Sequence, residues 1–226
     1  MKTKVCSWLG REFVEIVGEG KTGMPPDGAL TDLFRQFEAE LSAYKLSLDN
    51  TARIRVWGRD KEARALATAA RSKILTGKRR AASSSFISQE WFDSNGATGL
   101  EGLALRPLGQ DPERNPIDFE PARNYLCYLD FDGWLFFSGF TSEAPSLEEQ
   151  TAEVLSTIDG ALRRARTDWS RVMKLSALIQ RGHDFETVRR GLANAGRLNV
   201  PDVEFSFVDG FAGEKYLLEI EATARS

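Results

Sequence analysis

Histidine is almost missing from this 226-residue chain: His183 is the only one, and there are just two cysteines. A lone imidazole excludes catalysis by a histidine pair. No two cysteines stand at ligand spacing, so no metal and no cofactor is expected. Cys6 and Cys127 fall at equivalent places on two apolar strand-like runs, which favours buried structural thiols over a disulfide. An excess of positive charge is also absent. The formal charge is −3, which removes the electrostatic reason for nucleic acid or an anionic membrane as partner. No run approaches the roughly 20 apolar residues that cross a bilayer. The start, Met1-Lys-Thr-Lys-Val-Cys6, has no apolar signal core, so the cytoplasm is the expected location. With 42% hydrophobic and 28% charged residues, the composition is that of a soluble globular protein.

What the chain does have is an internal repeat. Shifted by about 121 positions, Val5-Cys6 falls on Leu126-Cys127 and Phe13-Val14 on Trp134-Leu135. Gly18 meets Gly139, Leu33-Phe34 meets Val154-Leu155, and Arg53-Ile54 meets Lys174-Leu175. Residues 1–107 and 122–226 are therefore expected to form two modules, joined by a linker at 108–121 that is rich in turn formers.

Each copy reads β-β-α-β-α-β-β. Strands are expected at 4–8 and 12–17 in the first copy, and at 124–130 and 133–138 in the second. The turns Leu9-Gly10-Arg11 and Phe131-Asp132-Gly133 carry hairpin chemistry. Ser146-Leu-Glu-Glu149 opens a helix as a capping box, and Val154, Leu155, Ile158, Ala161 and Leu162 then recur on one face. Leu33, Phe34, Phe37, Leu41 and Tyr44 repeat that stripe. Strands follow at 52–57 and 172–179, second helices at 60–75 and 184–195, and closing strand pairs at 82–89 with 100–105 and 203–208 with 216–222. The alternation Arg53-Ile54-Arg55-Val56 predicts one solvated face. The fold class is α+β, with helices on one face of each mixed sheet; the bare other face predicts association.

Several motifs point to no chemistry. Gly18-x-Gly20-x-x-Gly23 matches a dinucleotide fingerprint, but Met24-Pro25-Pro26 follows where a helix must begin, and the second copy lacks the pattern. His183 lies in a polar turn, and Ser83-Ser84-Ser85 lies in a strand rather than a nucleophile elbow. Lys78-Arg79-Arg80 reads as a charged loop or as an anion site. Glu219 and Glu221 share one sheet face; they line either water or an interface, where a raised pKa would let one of them handle protons.

Taken together, Leu135-Phe-Phe-Ser-Gly-Phe-Thr141, Ser146-Leu-Glu-Glu-Gln-Thr151, Val172-Met-Lys-Leu175, Asp184-Phe-Glu-Thr-Val188 and Leu218-Glu-Ile-Glu-Ala-Thr-Ala224 resemble the RidA (YjgF/YER057c/UK114) family over residues 122–224. The resemblance implies chorismate-mutase-like modules in a three-fold or pseudo-three-fold assembly, with a homotrimer favoured and clefts for small molecules between neighbours. It implies hydrolysis of enamines and imines to ketoacids and ammonia. An arginine on the penultimate strand would hold the substrate carboxylate; a glutamate of the last strand and the Ser-Gly turn would assist water. Here Pro201-Asp202-Val203 lacks that arginine, while Ser138, Gly139 and Glu221 remain. In the first copy Arg80, or Arg79, stands near the arginine position and Leu103 replaces the glutamate. The expected site therefore joins Arg80 of one copy to Glu221, Ser138 and Gly139 of the other, around a small carboxylate-bearing ligand. The alternatives are a cleft that binds without catalysis, or a hydrolase resembling the chorismatases. The family's older labels, endoribonuclease and translation inhibitor, find no basic aromatic surface here.

Overall fold

The computed structural model describes residues 1–8, 10–197 and 199–226. The first residue of the turn expected at Leu9-Gly10-Arg11 lies outside them.

The first copy folds as β1 (Lys2–Trp8), β2 (Arg11–Glu19), α1 (Pro26–Ala43), β3 (Thr51–Gly58), α2 (Lys61–Ile74), β4 (Ala82–Ile87) and β5 (Thr98–Leu105). Its sheet has the order β1-β2-β5-β3-β4. The segment expected as a linker contributes a strand, β6 (Arg114–Asp118). Then come β7 (Leu126–Phe131), β8 (Trp134–Phe137), α3 (Leu147–Arg164), β9 (Val172–Gln180), α4 (Phe185–Asn194), β10 (Asp202–Val208) and β11 (Leu218–Arg225). The second sheet runs β10-β9-β11-β8-β7-β6. The α+β class and the two-module arrangement are as the repeat predicts.

Local chemistry explains the elements. Asp132 and Gly133 both take positive φ, the backbone that a tight hairpin turn requires. Ser146 accepts from Glu149 N and starts α3, and Asp60 accepts from Ala63 N and starts α2. The predicted α1 and α3 stripes are buried, apart from the half-buried Tyr44, and pack under their own sheets.

The other faces of the two sheets meet each other. Phe13 and Leu105 of the first sheet pack with Phe131, Trp134 and Phe136 of the second, all 3% exposed or less. Removing a side chain of this size from water contributes about 1.5–3 kcal/mol. The charged side of β3 lies in this seam, so the expectation that it faces water is wrong. Arg53 is 6% exposed; it donates to Phe137 O (3.0 Å), Ala222 O (2.7 Å) and Thr223 Oγ1 (3.2 Å) of the second module. Association of the bare faces is thus satisfied within one chain. β6 fastens the seam from outside, where Arg114 donates to Thr51 O (2.9 Å) and Arg80 O (3.0 Å).

The candidate active site between the modules

The strand ladders fix which residues of the two copies correspond. Ala82 stands opposite Arg53 as Asp202 stands opposite Lys174, so Ser83 matches Val203. Arg55 faces Glu101 and its counterpart Ser176 faces Glu221; Trp57 faces Gly99 and its counterpart Leu178 faces Glu219. Leu103 is therefore level with Thr223, not with a glutamate. The glutamate of the first copy is Glu101, two residues earlier.

This register separates Glu221 from Glu219. Glu221 is 1% exposed and held by module one: Arg55 Nη2 lies 2.7 Å from its Oε2, and Arg53 Nε 3.5 Å from the same oxygen. Arg55 also bonds Glu101 at 2.8 Å, so one guanidinium ties together the two equivalent carboxylates. Burial alone would raise the pKa of Glu221, but Arg55 and Arg53 outweigh it and hold the carboxyl down at about 2. Glu221 therefore stays ionised at neutral pH.

Glu219 has the opposite surroundings. It is 8% exposed and forms no ion pair among the described residues. Burial, reinforced by the charge of Glu221, pushes it up to about 8, although Ser84 pulls the other way. The Ser84 hydroxyl completes no hydrogen bond of good geometry. The carboxyl of Glu219 lies directly over Gly139, where any Cβ would overlap it. That is the physical requirement for glycine in the Ser-Gly turn. Ser138 accepts from Ser83 N of the other module at 3.0 Å, so its hydroxyl is occupied in locking the seam.

Glu219 and Gly139 form one wall of an inter-module cleft of about 610 Å³, with Tyr125 and Tyr216 of the same module. The opposite wall is Ser83–Ser85 of β4 together with Arg64 and Arg71 of α2. Arg64 donates to Ser85 Oγ at 3.0 Å; Arg71 reaches only Ser72 Oγ, at 3.4 Å. Burial lowers the pKa of both guanidiniums, Arg71 to about 10, yet both stay charged at neutral pH. The cleft therefore holds two cations opposite a carboxyl that is protonated at pH 7, a field that favours an anionic ligand.

Arg80 does not reach this set. It forms a two-pronged pair with Asp118 at 3.0 and 2.6 Å, beside a smaller cavity, and Arg79 pairs with Asp49 at the surface. Arg80 and Glu221 do not meet. The structure joins Gly139 to Glu219, Arg64 and Arg71 instead. Trp91 fills the first copy's counterpart of the Glu219 position, packing onto Gly99 and stacking on Trp57. Cys6 and Cys127 are free thiols, and burial raises the latter to about 11. Helix α1 begins at Pro26, six residues past Gly20, and Gly20 packs on Ala29 rather than presenting amides to a phosphate. Among the described residues no helix is long and apolar enough to cross a membrane.

Residues 117–226 match the Endoribonuclease L-PSP family model. No curated protein matches the chain. Among solved structures, a chorismatase is 19% identical over 98% of this chain and 79% of its own, with a TM-score of 0.64. A YjgF/YER057c/UK114 protein of Mycobacterium tuberculosis is 22% identical over 50% of this chain and 100% of its own, at 0.45. A Rid family protein of Yersinia pestis is 23% identical over 50% and 100%, at 0.46. The first likeness spans both modules and shows that their arrangement is a known fold. Residues 117–226 place the second module in the RidA (YjgF/YER057c/UK114) family, and the first module repeats its topology, so the chain is built as two tandem modules of that fold.

Proposed function

We propose that the inter-module cleft is a hydrolytic deaminase site for small enamine or imine acids, with Glu219 as its proton donor and acceptor. The carrying observation is a buried carboxyl set over Gly139, with burial raising its pKa, across the cleft from two guanidiniums that have no carboxylate partner among the described residues. Arg64 holds the substrate carboxylate through charge-assisted hydrogen bonds. Glu219 delivers its proton to the β-carbon of the enamine, giving an iminium ion and a Glu219 carboxylate. Water attacks the iminium carbon, forming the C–O bond as Glu219 takes one of its protons. The C–N bond then breaks with proton transfer to nitrogen, leaving a 2-oxo acid and ammonia. A pKa near the working pH suits a group that must serve in both directions. In this reading Ser138 and Gly139 position the site, and Glu221 and Arg80 hold the scaffold.

The size of the cleft favours a second reading, hydrolysis of a larger acid of the chorismatase kind, which would use the same proton donor. The modules are taken as residues 1–107 and 122–226, working in the cytoplasm, and homotrimerisation is the expected assembly, to be read from sedimentation equilibrium. The deaminase is tested by ammonia release from enzymatically generated 2-aminoacrylate. Release that exceeds the spontaneous rate, and that disappears in Glu219→Gln but survives in Arg80→Ala, supports it. Ligand-induced thermal stabilisation without turnover would favour a binding module.

A further inference from the structure

Arg64 and Arg71 stand seven positions apart on α2, which is two turns along one face and about 10 Å of rise. They are 8% and 5% exposed. Other buried arginines of the chain are partnered: Arg53 pairs with Glu221 and Arg11 with Asp132. No carboxylate lies within 4.0 Å of either Arg64 or Arg71 among the described residues. A buried charge without a counter-charge is costly, and two in one cavity double the cost. Arg64 Nε is itself buried without a partner. Arg71 has one long bond to Ser72 and stands where the main cleft meets the smaller cavity of about 170 Å³ lined by Arg80 and Tyr125. One small monocarboxylate can neutralise one of these guanidiniums, but it cannot span both.

We propose that the cleft takes an acid with two anionic groups, a dicarboxylate whose reactive end sits on Arg64 beside Glu219 and whose distal carboxylate sits on Arg71. This rests on the cleft being the substrate site and specifies what that site selects. Tyr125 and Tyr216 then flank the body of the molecule between the two anchors. Arg71 is a specificity residue with no part in proton transfer.

Binding separates this inference from the chemistry, because it requires no turnover. The intact chain is titrated at pH 7 with 2-oxobutyrate and with the length series 2-oxoglutarate, 2-oxoadipate and 2-oxopimelate, by calorimetry and thermal shift. At least one dicarboxylate is expected to bind about tenfold or more tightly than 2-oxobutyrate, since a hydrogen-bonded charge contributes roughly 1.5–3 kcal/mol. Arg71→Met is expected to remove that preference by weakening the dicarboxylates at least about fivefold more than 2-oxobutyrate; Arg64→Met is expected to weaken both classes alike. Arg71→Lys, which keeps the charge, provides the comparison if the methionine variant does not fold, and it is expected to retain part of the preference. Equal binding of the two classes overturns the inference. So does an Arg71 variant that weakens 2-oxobutyrate as much as the dicarboxylates, or a failure of every acid to bind. Turnover of 2-aminoacrylate without a dicarboxylate preference would sink this inference and leave the deaminase standing. A preference without turnover would do the reverse.

Discussion

Two glutamates on one strand, two residues apart and both buried, have their pKa values pushed in opposite directions because of what module one places against each. Replacing Glu221 by Gln removes the carboxylate that Arg55 and Arg53 grip. Breaking one side of a buried ion pair costs about 3–5 kcal/mol, so Glu221→Gln is expected to lower the denaturation midpoint sharply. Glu219→Gln keeps the uncharged state that Glu219 already has at pH 7. Its expected effect is a rate loss of about 10²–10⁴-fold with little change in stability at that pH. The pH dependence follows in sign. Glu219 rises from an ordinary value of 4.5 to about 8, so between those values the native state binds more protons than the unfolded chain, and stability falls as pH climbs through that window. Glu221 drops to about 2; its contribution is complete above about 4.5 and is lost as pH falls towards 2. Denaturation at pH 5 and pH 8.5 should show the alkaline loss in the wild type and not in Glu219→Gln. An equal loss in both would place the titrating group elsewhere.

At the level of elements, the Ser138-Gly139 turn after β8 and the face of α2 set the geometry of the cleft. Gly139→Ala puts a methyl group where the carboxyl of Glu219 lies. Overpacking of this kind costs about 1–3 kcal/mol, and the displaced carboxyl is expected to lower kcat about 10²-fold or more. Unchanged ammonia release in that variant would remove Glu219 from the mechanism. The elements themselves were legible in sequence because each is written in local chemistry: the Ser146 capping box, the Asp132-Gly133 turn, the stripe from Val154 to Leu162. The choice between Glu219 and Glu221 was not, since both point to one face and only Arg55, 166 positions from Glu221, tells them apart. The repeat does not fix the length of the loop that carries Arg80, so sequence alone puts Arg80 near the site; the β3–β4 ladder puts Ser83 at that level. The sequence alone does not single out Arg64 and Arg71, because arginine on a helix normally faces water. A signal was present: they share the buried side of α2 with Ala63, Ala67 and Ala70, where methyl groups leave room for a cavity.

For the whole molecule, the seam makes two modules into one thermodynamic unit. Each sheet covers the other's apolar face, and Arg53 donates to two carbonyls and a hydroxyl of the second module that have no water to turn to. A module that unfolded alone would expose Phe131, Trp134 and Phe136, or Phe13 and Leu105, and would strand the charges of Glu221 or of Arg53 and Arg55. Partial unfolding is therefore uphill, and the chain is expected to unfold in one transition despite its repeat. Tryptophans report on both halves, with Trp57 in the first and Trp134 and Trp169 in the second. Guanidinium denaturation followed by tryptophan fluorescence and by far-UV circular dichroism should give coincident curves. Arg53→Met removes the bridging guanidinium while Arg55 still holds Glu221, and it leaves the carbonyls of Phe137 and Ala222 short of a donor. Its cost is expected at about 3–5 kcal/mol, with the transition still single, because the aromatic seam remains closed. Two separated transitions in the wild type would mean that the modules are stable alone. The cleft between them would then open at low cost, and a site that draws Glu219 from one module and Arg64 from the other would lose its fixed geometry.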